Sequence, residues 1–458
     1  PGMISNYGVK SSIKNCNMPI HNFGSVCSGI EAASYTLHPM GVNALWLSEI
    51  AEYPSRFLSV QYPTHRNLGD MTNIPNMIVN NEIPVPDLLV GGTPCQAFSL
   101  AGWRNGVNDE RGQLTLRYID IIDAIDAKRA ENNEDRAIFF WENVEGALTD
   151  KTNAFGCFLS GLAGLEEPVV VPKFKSSGIL HGPTRNIAWR VLDAKYFGIP
   201  QQRKRVYVIG GGKDFHPENI LFEMGGKLQD PYKIREQRKD GLFASLFDSE
   251  EKEPKQDIIR TLTRNINGHD IEVFRCYSDC LYAAYGTKWN GNAAAFNGSL
   301  FVSQDGRLRR LTPIECERLM GFPDNYTSVG NPRLTNRYQA TGNSWAVPVI
   351  RWIMNRLLQS TNNNIQEIIT LPQVPTIQNK DYRLYLLDEF TNTTNGFLNA
   401  SNYCYDYVLS NMLDIIDTEP DEKLYISAAG CAGILRRKRE HDASMNARLE
   451  VVLENCSK

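Results

Sequence analysis

The chain has no paired cysteine framework. Its ten cysteines are scattered over 458 residues and none forms a Cys-x-x-Cys pair. That excludes the common zinc spacings and a disulfide scaffold. Cys276 and Cys280 are the nearest pair, and no second pair at ligand spacing follows them. No metal is therefore expected, and a reducing cytosol suits the thiols. An apolar run of membrane-spanning length is also missing, so no membrane partner is expected. No secretory signal is expected at the start, where Pro1-Gly2 before Met3 reads as an expression scar. Charge of one sign is not in excess either: 48 Lys+Arg against 52 Asp+Glu leave a formal net charge of -4. Composition thus carries no signature of nucleic-acid binding, although where the basic residues lie matters more than their sum. At 42% hydrophobic, the chain reads as a globular cytoplasmic protein of two or three domains.

What is present centres on Asp87-Leu-Leu-Val-Gly-Gly-Thr-Pro-Cys-Gln-Ala-Phe-Ser99. A short apolar strand is broken by two glycines, and Cys95 follows the turn at the strand's carboxyl end, where open α/β sheets do their chemistry. Pro94 restricts Thr93 and fixes its own φ, giving Cys95 a defined exit. A lone cysteine is most often a small buried hydrophobe, so the nucleophile reading needs partners. One is Ala137-Ile-Phe-Phe-Trp-Glu-Asn-Val144, a second buried strand ending in Glu142. Beside a Trp at a strand mouth, that carboxyl can hold a proton at neutral pH; a helix cap or a solvated loop acid is the plainer reading. Another is Pro200-Gln-Gln-Arg-Lys-Arg-Val-Tyr-Val-Ile-Gly210. There Arg203 and Arg205 alternate into a β-branched strand and share one face, suited to a phosphate or a carbonyl oxygen. Its plainer reading is a solvated edge.

Further motifs follow in order: Arg310-Leu-Thr-Pro-Ile-Glu-Cys-Glu-Arg-Leu-Met-Gly-Phe-Pro323 and Gly342-Asn-Ser344. With the glycine turn after Phe23, this series resembles the DNA (cytosine-5) methyltransferases from about Phe23 to Ile353. The resemblance implies a Rossmann-like α/β methyltransferase domain with a mixed sheet, a smaller target-recognition domain and a C-terminal extension. The expected division is a catalytic domain at 18–212 completed by 335–359, a target-recognition region and return segment at 213–334, and a linker and extension at 360–458.

Carbon 5 of cytosine is too weak a nucleophile to take a methyl group unaided. The resemblance implies that the Cys95 thiolate adds to carbon 6 while Glu142 protonates the ring nitrogen. Carbon 5 then attacks the methyl group of S-adenosylmethionine, and loss of its proton expels the cysteine. Arg203 and Arg205 would hold the cytosine carbonyl and nearby backbone. A free thiol is only a few per cent ionised at neutral pH, so a nearby cation or concerted ring protonation is required. The base must also be flipped out of the duplex.

The first strand is expected at 21–27, with Cys27, Ser28, Gly29 and Ile30 turning into a helix that ends near Leu37. A glycine turn at a helix start suits a nucleotide-like ligand. The family usually has Asp-Leu-Phe-x-Gly-x-Gly-Gly here. This chain has Ser25-Val-Cys-Ser-Gly-Ile-Glu-Ala32, a variant that resembles phage-borne members. The next strand, 44–49, ends in Glu49 beside Ile50, about twenty residues after the turn, where a carboxylate binds ribose hydroxyls. The resemblance implies that Asp70 and Met71 fall near the adenine, that Pro94 lies at the turn, and that Asn343 and Ser344 complete the pocket.

The resemblance implies that a mobile loop carrying Arg104 follows Cys95, and that Gln96 and Ser99 touch the DNA backbone near the emptied base position. A helix is expected over 114–129 and another over 347–358, packing beside the first strand. Between Gly212 and Leu308 strand-helix alternation fades, as expected of a target-recognition region; the acidic run 248–253 reads as a solvated loop. Near the end, Ser427 caps a helix whose Arg436-Arg-Lys-Arg439 run reads as a solvated face or an extra DNA contact.

The leading reading is methylation of cytosine in duplex DNA at a short site by a monomer, with room for a cognate restriction endonuclease. A tRNA cytosine-5 methyltransferase and a non-catalytic DNA-binding protein are the alternatives.

Overall fold

A computed structural model of the chain describes residues 19–93, 112–225, 260–288, 294–362 and 369–458. Its frame is a nine-stranded mixed sheet. Four strands are parallel: β1 (Asn22–Val26), β2 (Asn43–Ser48), β3 (Leu88–Gly91) and β4 (Ile138–Val144). Three more follow antiparallel: β5 (Ser177–His181), β6 (Asn186–Asp193) and β7 (Lys204–Gly211). Three strands form or extend the smaller sheets before the chain returns: β8 (Glu223–Gly225), β9 (Leu262–Ile266) and β10 (His269–Val273). β11 (Phe301–Gln304) and β12 (Arg307–Arg310) come next. The tail adds β13 (Ile377–Gln378), β14 (Arg383–Leu387), β15 (Phe390–Thr393) and β16 (Gly396–Asn399). The main order is β13-β14-β5-β6-β7-β4-β3-β1-β2, beside an antiparallel β12-β11-β10-β9 sheet and a β15-β16-β8 sheet.

Strand periodicity builds both cores at once. Leu88, Val90, Ile138 and Phe140 join one layer with Val347, Ile350, Ile353 and Leu357 of the helix Val347–Thr361. Leu89, Phe139 and Trp141 join the other, with Tyr118, Ile122 and Ile125 of the helix Gly112–Glu131 and Phe158 of the helix Ala154–Ala163. Each such side chain contributes about 1.5–3 kcal/mol when fully buried. The expected helices at 114–129 and 347–358 are present. The second packs with Phe23 of β1 in one core, although over three hundred residues of chain separate them.

The chain crosses from β1 to β2 on one side and then back to β3 on the other. A crevice opens at such a switch point, beyond the carboxyl ends of the strands. Everything in the candidate site lies along that edge.

The last ninety residues are stitched into the molecule. β14 pairs antiparallel with β5. The fully buried Arg190 of β6 donates to the carbonyls of Ser401 at 2.7 Å and Tyr403 at 2.6 Å. A helical hairpin, Ala428–Glu440 and Ala447–Cys456, covers the four-stranded sheet. It buries Ile434, Leu449 and Leu453 against Phe274, Phe301 and Leu308. Ser427 caps the first helix, accepting from Gly430 N at 3.2 Å, and Arg436 and Arg439 lie on its exposed face. The eight described cysteines are all free thiols.

Candidate active site

After β1 the chain turns sharply. Cys27, Gly29 and Glu31 all have positive φ, 51°, 55° and 57°, which is natural only for glycine. Space beyond Gly29 is open, with nothing within 4 Å of where a Cβ would sit. Its N–H donates to Glu49 Oε2 at 2.8 Å, while Glu49 Oε1 accepts from Ile50 N at 2.9 Å and Ala51 N at 2.8 Å. The carboxylate is thereby pinned to the turn. Ser28 Oγ accepts from Ser48 N at 3.1 Å and locks the turn to β2. Glu31 is a buried carboxyl that caps the following helix by accepting from Ser34 N at 2.9 Å. Burial pushes it up, against hydrogen bonds from Ser25 and Ser34 that hold it down.

Ile50, at the mouth of β2, is 75% exposed. Beside it Asp70 is exposed and accepts from Thr72 N at 2.9 Å, while Met71 and Ile30 are buried. Burial first, and then Glu49, push the Cys27 thiol up to about 12. It stays protonated, donating toward Met71 Sδ at 3.7 Å, and is no nucleophile. Asn343 ends the helix Leu334–Asn343 in an exposed position, and Ser344 is buried next to it. An open glycine turn, an apolar exposed platform and two carboxylates fit a nucleoside with a cationic tail.

Thr93, the last described residue before Pro94-Cys95, is held firmly. Asn143 Nδ2 donates to its carbonyl at 3.0 Å, Trp141 Nε1 to its Oγ1 at 3.0 Å, and its hydroxyl meets Thr115 Oγ1 at 3.0 Å. Glu142 lies between the two residues that anchor Thr93. It is 7% exposed, and burial pushes its carboxyl up against the pull of Arg205, Arg203 and a hydrogen bond from the Trp345 indole. Gly92 makes this approach possible: a Cβ there would sit 2.9 Å from Trp345 Nε1 and 3.2 Å from the Glu142 carbonyl oxygen.

β7 runs antiparallel beside β4 and delivers the two arginines to Glu142. Arg205 Nε lies 3.1 Å from Glu142 Oε1, yet the contact is not aligned as a hydrogen bond, and that oxygen has no other partner. Arg205 Nη1 donates to Lys204 O at 2.8 Å and Nη2 to Cys280 Sγ at 3.5 Å. Arg203, 2% exposed, turns both its terminal nitrogens to protein acceptors. Nη1 reaches Cys280 Sγ at 3.2 Å and Leu281 O at 3.1 Å; Nη2 reaches Gly342 O at 3.2 Å and Ser344 O at 2.7 Å. Arg203 therefore stitches the Cys280–Leu281 segment to the Gly342–Ser344 motif, with its buried Nε left without a partner among the described residues, and the less buried Arg205 also keeps donors for a ligand.

The structure thus gathers Glu142, Arg203, Arg205, Ser344 and Thr93 at one edge, with Cys27, Ser28, Gly29, Glu49 and Ile50 at its neighbour. Pro94, Cys95, Gln96, Ser99 and Arg104 lie outside the described residues. Sequence reasoning missed Trp345, Thr93, Glu31 and Cys280. Trp345 directly follows a motif residue, which was a signal; the proximity of Cys280 to β7 arises only in three dimensions. Among the described residues no group of three or more His, Cys, Asp or Glu is arranged to hold a metal, and no helix is long and apolar enough to cross a membrane.

A Rossmann-like mixed sheet thus carries a glycine turn beside a buried carboxyl flanked by arginines. The C-5 cytosine-specific DNA methylase family model matches residues 21–359, and the chain belongs to that family. The family implies S-adenosylmethionine as methyl donor. A protein of Escherichia phage P1 named DNA N-6-adenine-methyltransferase is 32% identical over 460 residues, 74% of this chain and 61% of its own length. The chain therefore spans about three-fifths of that relative. The type II methyltransferase M.HhaI of Haemophilus parahaemolyticus is 26% identical over 362 residues, covering 76% of this chain and 98% of M.HhaI. M1.ScrFI of Lactococcus lactis subsp. cremoris is 29% identical over 330 residues, covering 69% and 72%.

Proposed function

We propose that the protein methylates carbon 5 of a cytosine flipped out of a short duplex DNA site, through a covalent adduct with Cys95. The observation that carries this is the buried, upshifted Glu142 carboxyl set between Arg205 and Trp345, next to the anchored residue that leads into Cys95. Cys95 adds through its thiolate sulfur to carbon 6. Glu142 gives its proton to ring nitrogen 3, so the electron pair from the ring collects at carbon 5. Arg205, with spare N–H donors, holds the cytosine carbonyl; Arg203 keeps the surrounding loops in place. S-adenosylmethionine, when bound, supplies a methyl group on a positively charged sulfur. Glu49, Ile50, Asp70 and the turn 27–30 hold its nucleoside end, with Asn343 and Ser344 closing the pocket. After methylation a base removes the carbon 5 proton, the returning electron pair breaks the carbon–sulfur bond, and ring nitrogen 3 returns its proton to Glu142. Gln96, Ser99 and Arg104 contact the DNA, and the segment 213–334 reads its sequence.

A second reading, transfer to adenine N6, is favoured by the name of the phage relative. An exocyclic amine needs no thiol adduct, so the two separate cleanly. Wild type is incubated with duplex DNA and the nucleosides are quantified by mass spectrometry, alongside Cys95→Ala and a duplex carrying 5-fluorocytosine. The proposal expects 5-methylcytosine from wild type, none from Cys95→Ala, and a cofactor-dependent covalent complex with the fluorinated duplex. N6-methyladenine as product, or full activity without the thiol, overturns it.

A further inference from the structure

Arginine pairs best with a carboxylate through two parallel N–H donors, and the Arg205–Glu142 contact is not of that kind. Its shortest approach is Nε to Oε1, at 3.1 Å and misaligned. The second nitrogen that could complete the fork, Nη2, points instead to Cys280 Sγ at 3.5 Å. The same sulfur accepts from Arg203 Nη1 at 3.2 Å. Its place is fixed by its neighbours. Leu281 N donates to Gln201 Oε1 at 2.9 Å, and Asp279 is tied to Arg275 at 2.9 Å and Asn297 at 2.6 Å.

We propose that Cys280 is a positioning residue: by accepting from both guanidiniums it holds Arg205 in a single-point contact with Glu142 and prevents a two-point fork. A thiol suits the task because sulfur is a weak acceptor, able to orient the arginine without competing for it as a carboxylate does. Among the described residues, the charged and titratable groups facing Glu142 are Arg203, Arg205, Tyr207 and, behind Arg203, Asp193. Tyr207 is buried and held neutral, and Asp193 is occupied by the Arg203 and Lys195 backbone amides. Among these described groups, the one able to change its grip on the carboxyl is Arg205. Released from the sulfur, it would swing into the fork and favour the carboxylate. Fewer molecules would then carry the proton that the cytosine ring needs.

The consequence for turnover rests on the methylation reading above; the consequence for the carboxyl does not. The test is therefore made first on DNA-free protein labelled with carboxyl-13C glutamate, with the Glu142 signal assigned by its loss in Glu142→Gln. In Cys280→Ala the Glu142 titration is expected about one pH unit lower, a tenfold loss of the protonated form at a given pH. Cys280→Ser, which keeps an acceptor, is expected to return most of the shift. The high-pH limb of the methylation rate should move by the same amount, with the KM for S-adenosylmethionine unchanged. A Cys280→Ala titration superimposed on wild type overturns the proposal, as does a serine variant no better than alanine. If the alanine variant does not fold, Cys280→Val fills the space without an acceptor and is read in the same way. A shifted titration with no methylation by wild type would retain the positioning role and discard the assigned reaction.

Discussion

Replacing Glu142 by glutamine separates proton donation from everything else the side chain does. Glutamine keeps the volume and can still accept from the Trp345 indole, so the site should stay assembled. It has no proton to give. General acid catalysis contributes about 10²–10⁴-fold, or ~2.7–5.4 kcal/mol at 1.36 kcal/mol per decade. Arg205 remains beside the ring to offset part of the developing charge, which places the expected loss near a thousandfold in single-turnover methyl transfer, with DNA affinity unchanged. The pH dependence gives a sharper check. Burial raises the Glu142 carboxyl in the folded protein from its ordinary 4.5. The protonated form therefore persists to higher pH, and the wild-type rate falls as pH rises through the raised value. The variant lacks this limb. Stability follows the same sign: the proton-linked stabilisation is complete below 4.5 and lost as pH rises through the folded value. At neutral pH glutamine removes a buried carboxylate's desolvation cost, so urea unfolding at pH 7.5 should show the variant at least as stable as wild type. A variant within threefold of wild-type rate, or one that keeps the high-pH limb, refutes the assignment.

Gly92→Ala places a methyl group 2.9 Å from Trp345 Nε1; overpacking of this kind costs about 1–3 kcal/mol. It should cut turnover at least tenfold while near-ultraviolet circular dichroism stays native, and wild-type turnover would show that the Trp345–Glu142 approach is dispensable. Ile50→Ser removes the apolar platform at the mouth of β2. Calorimetry should find S-adenosylmethionine bound about tenfold more weakly, ~1.4 kcal/mol, and an unchanged affinity would move the adenine elsewhere. Far from the site, burial would push the Glu218 carboxyl up, but the imidazoles of His181, 3.9 Å away and beyond hydrogen-bond reach, and His216, at 3.1 Å, overcome it and hold it down at about 2. Its contribution is present above the ordinary 4.5 and lost as pH falls toward 2, amounting to at most about 3 kcal/mol. Glu218→Gln should lower stability at pH 7 by up to that amount and flatten the acid limb of the unfolding curve; an unchanged limb would count against the His–Glu–His contact.

Some of this was legible in residues alone. β2 to β4 are visible because each carries a short apolar run closed by glycine or a polar residue, and β1 because it leads into the Ser28-Gly29 turn. The acids at their ends, Glu49 and Glu142, stood out because a strand mouth is where an acid has chemical use. β5 and β6 were not called: both are buried on both faces, so no alternation marks them. Residues 360–458 read as a linker and extension, yet β14 and β13 complete one side of the main sheet and Arg190 binds carbonyls of this tail. Strand pairing across some two hundred residues leaves no local pattern.

The residues by themselves determined the chemistry on offer: a carboxyl, two arginines, a glycine turn and a thiol in a fixed order along alternating strands and helices. Local pattern and covalent sequence are enough for that. Folding alone decided how these groups share their bonds. It turned Arg203 onto carbonyls from two distant loops, left Arg205 with donors to spare, and brought Cys280 from the far side of the sequence to face both. Hydrogen bonds form between neighbours in space, and which donor meets which acceptor is fixed only when the sheet edge and the returning chain are packed together.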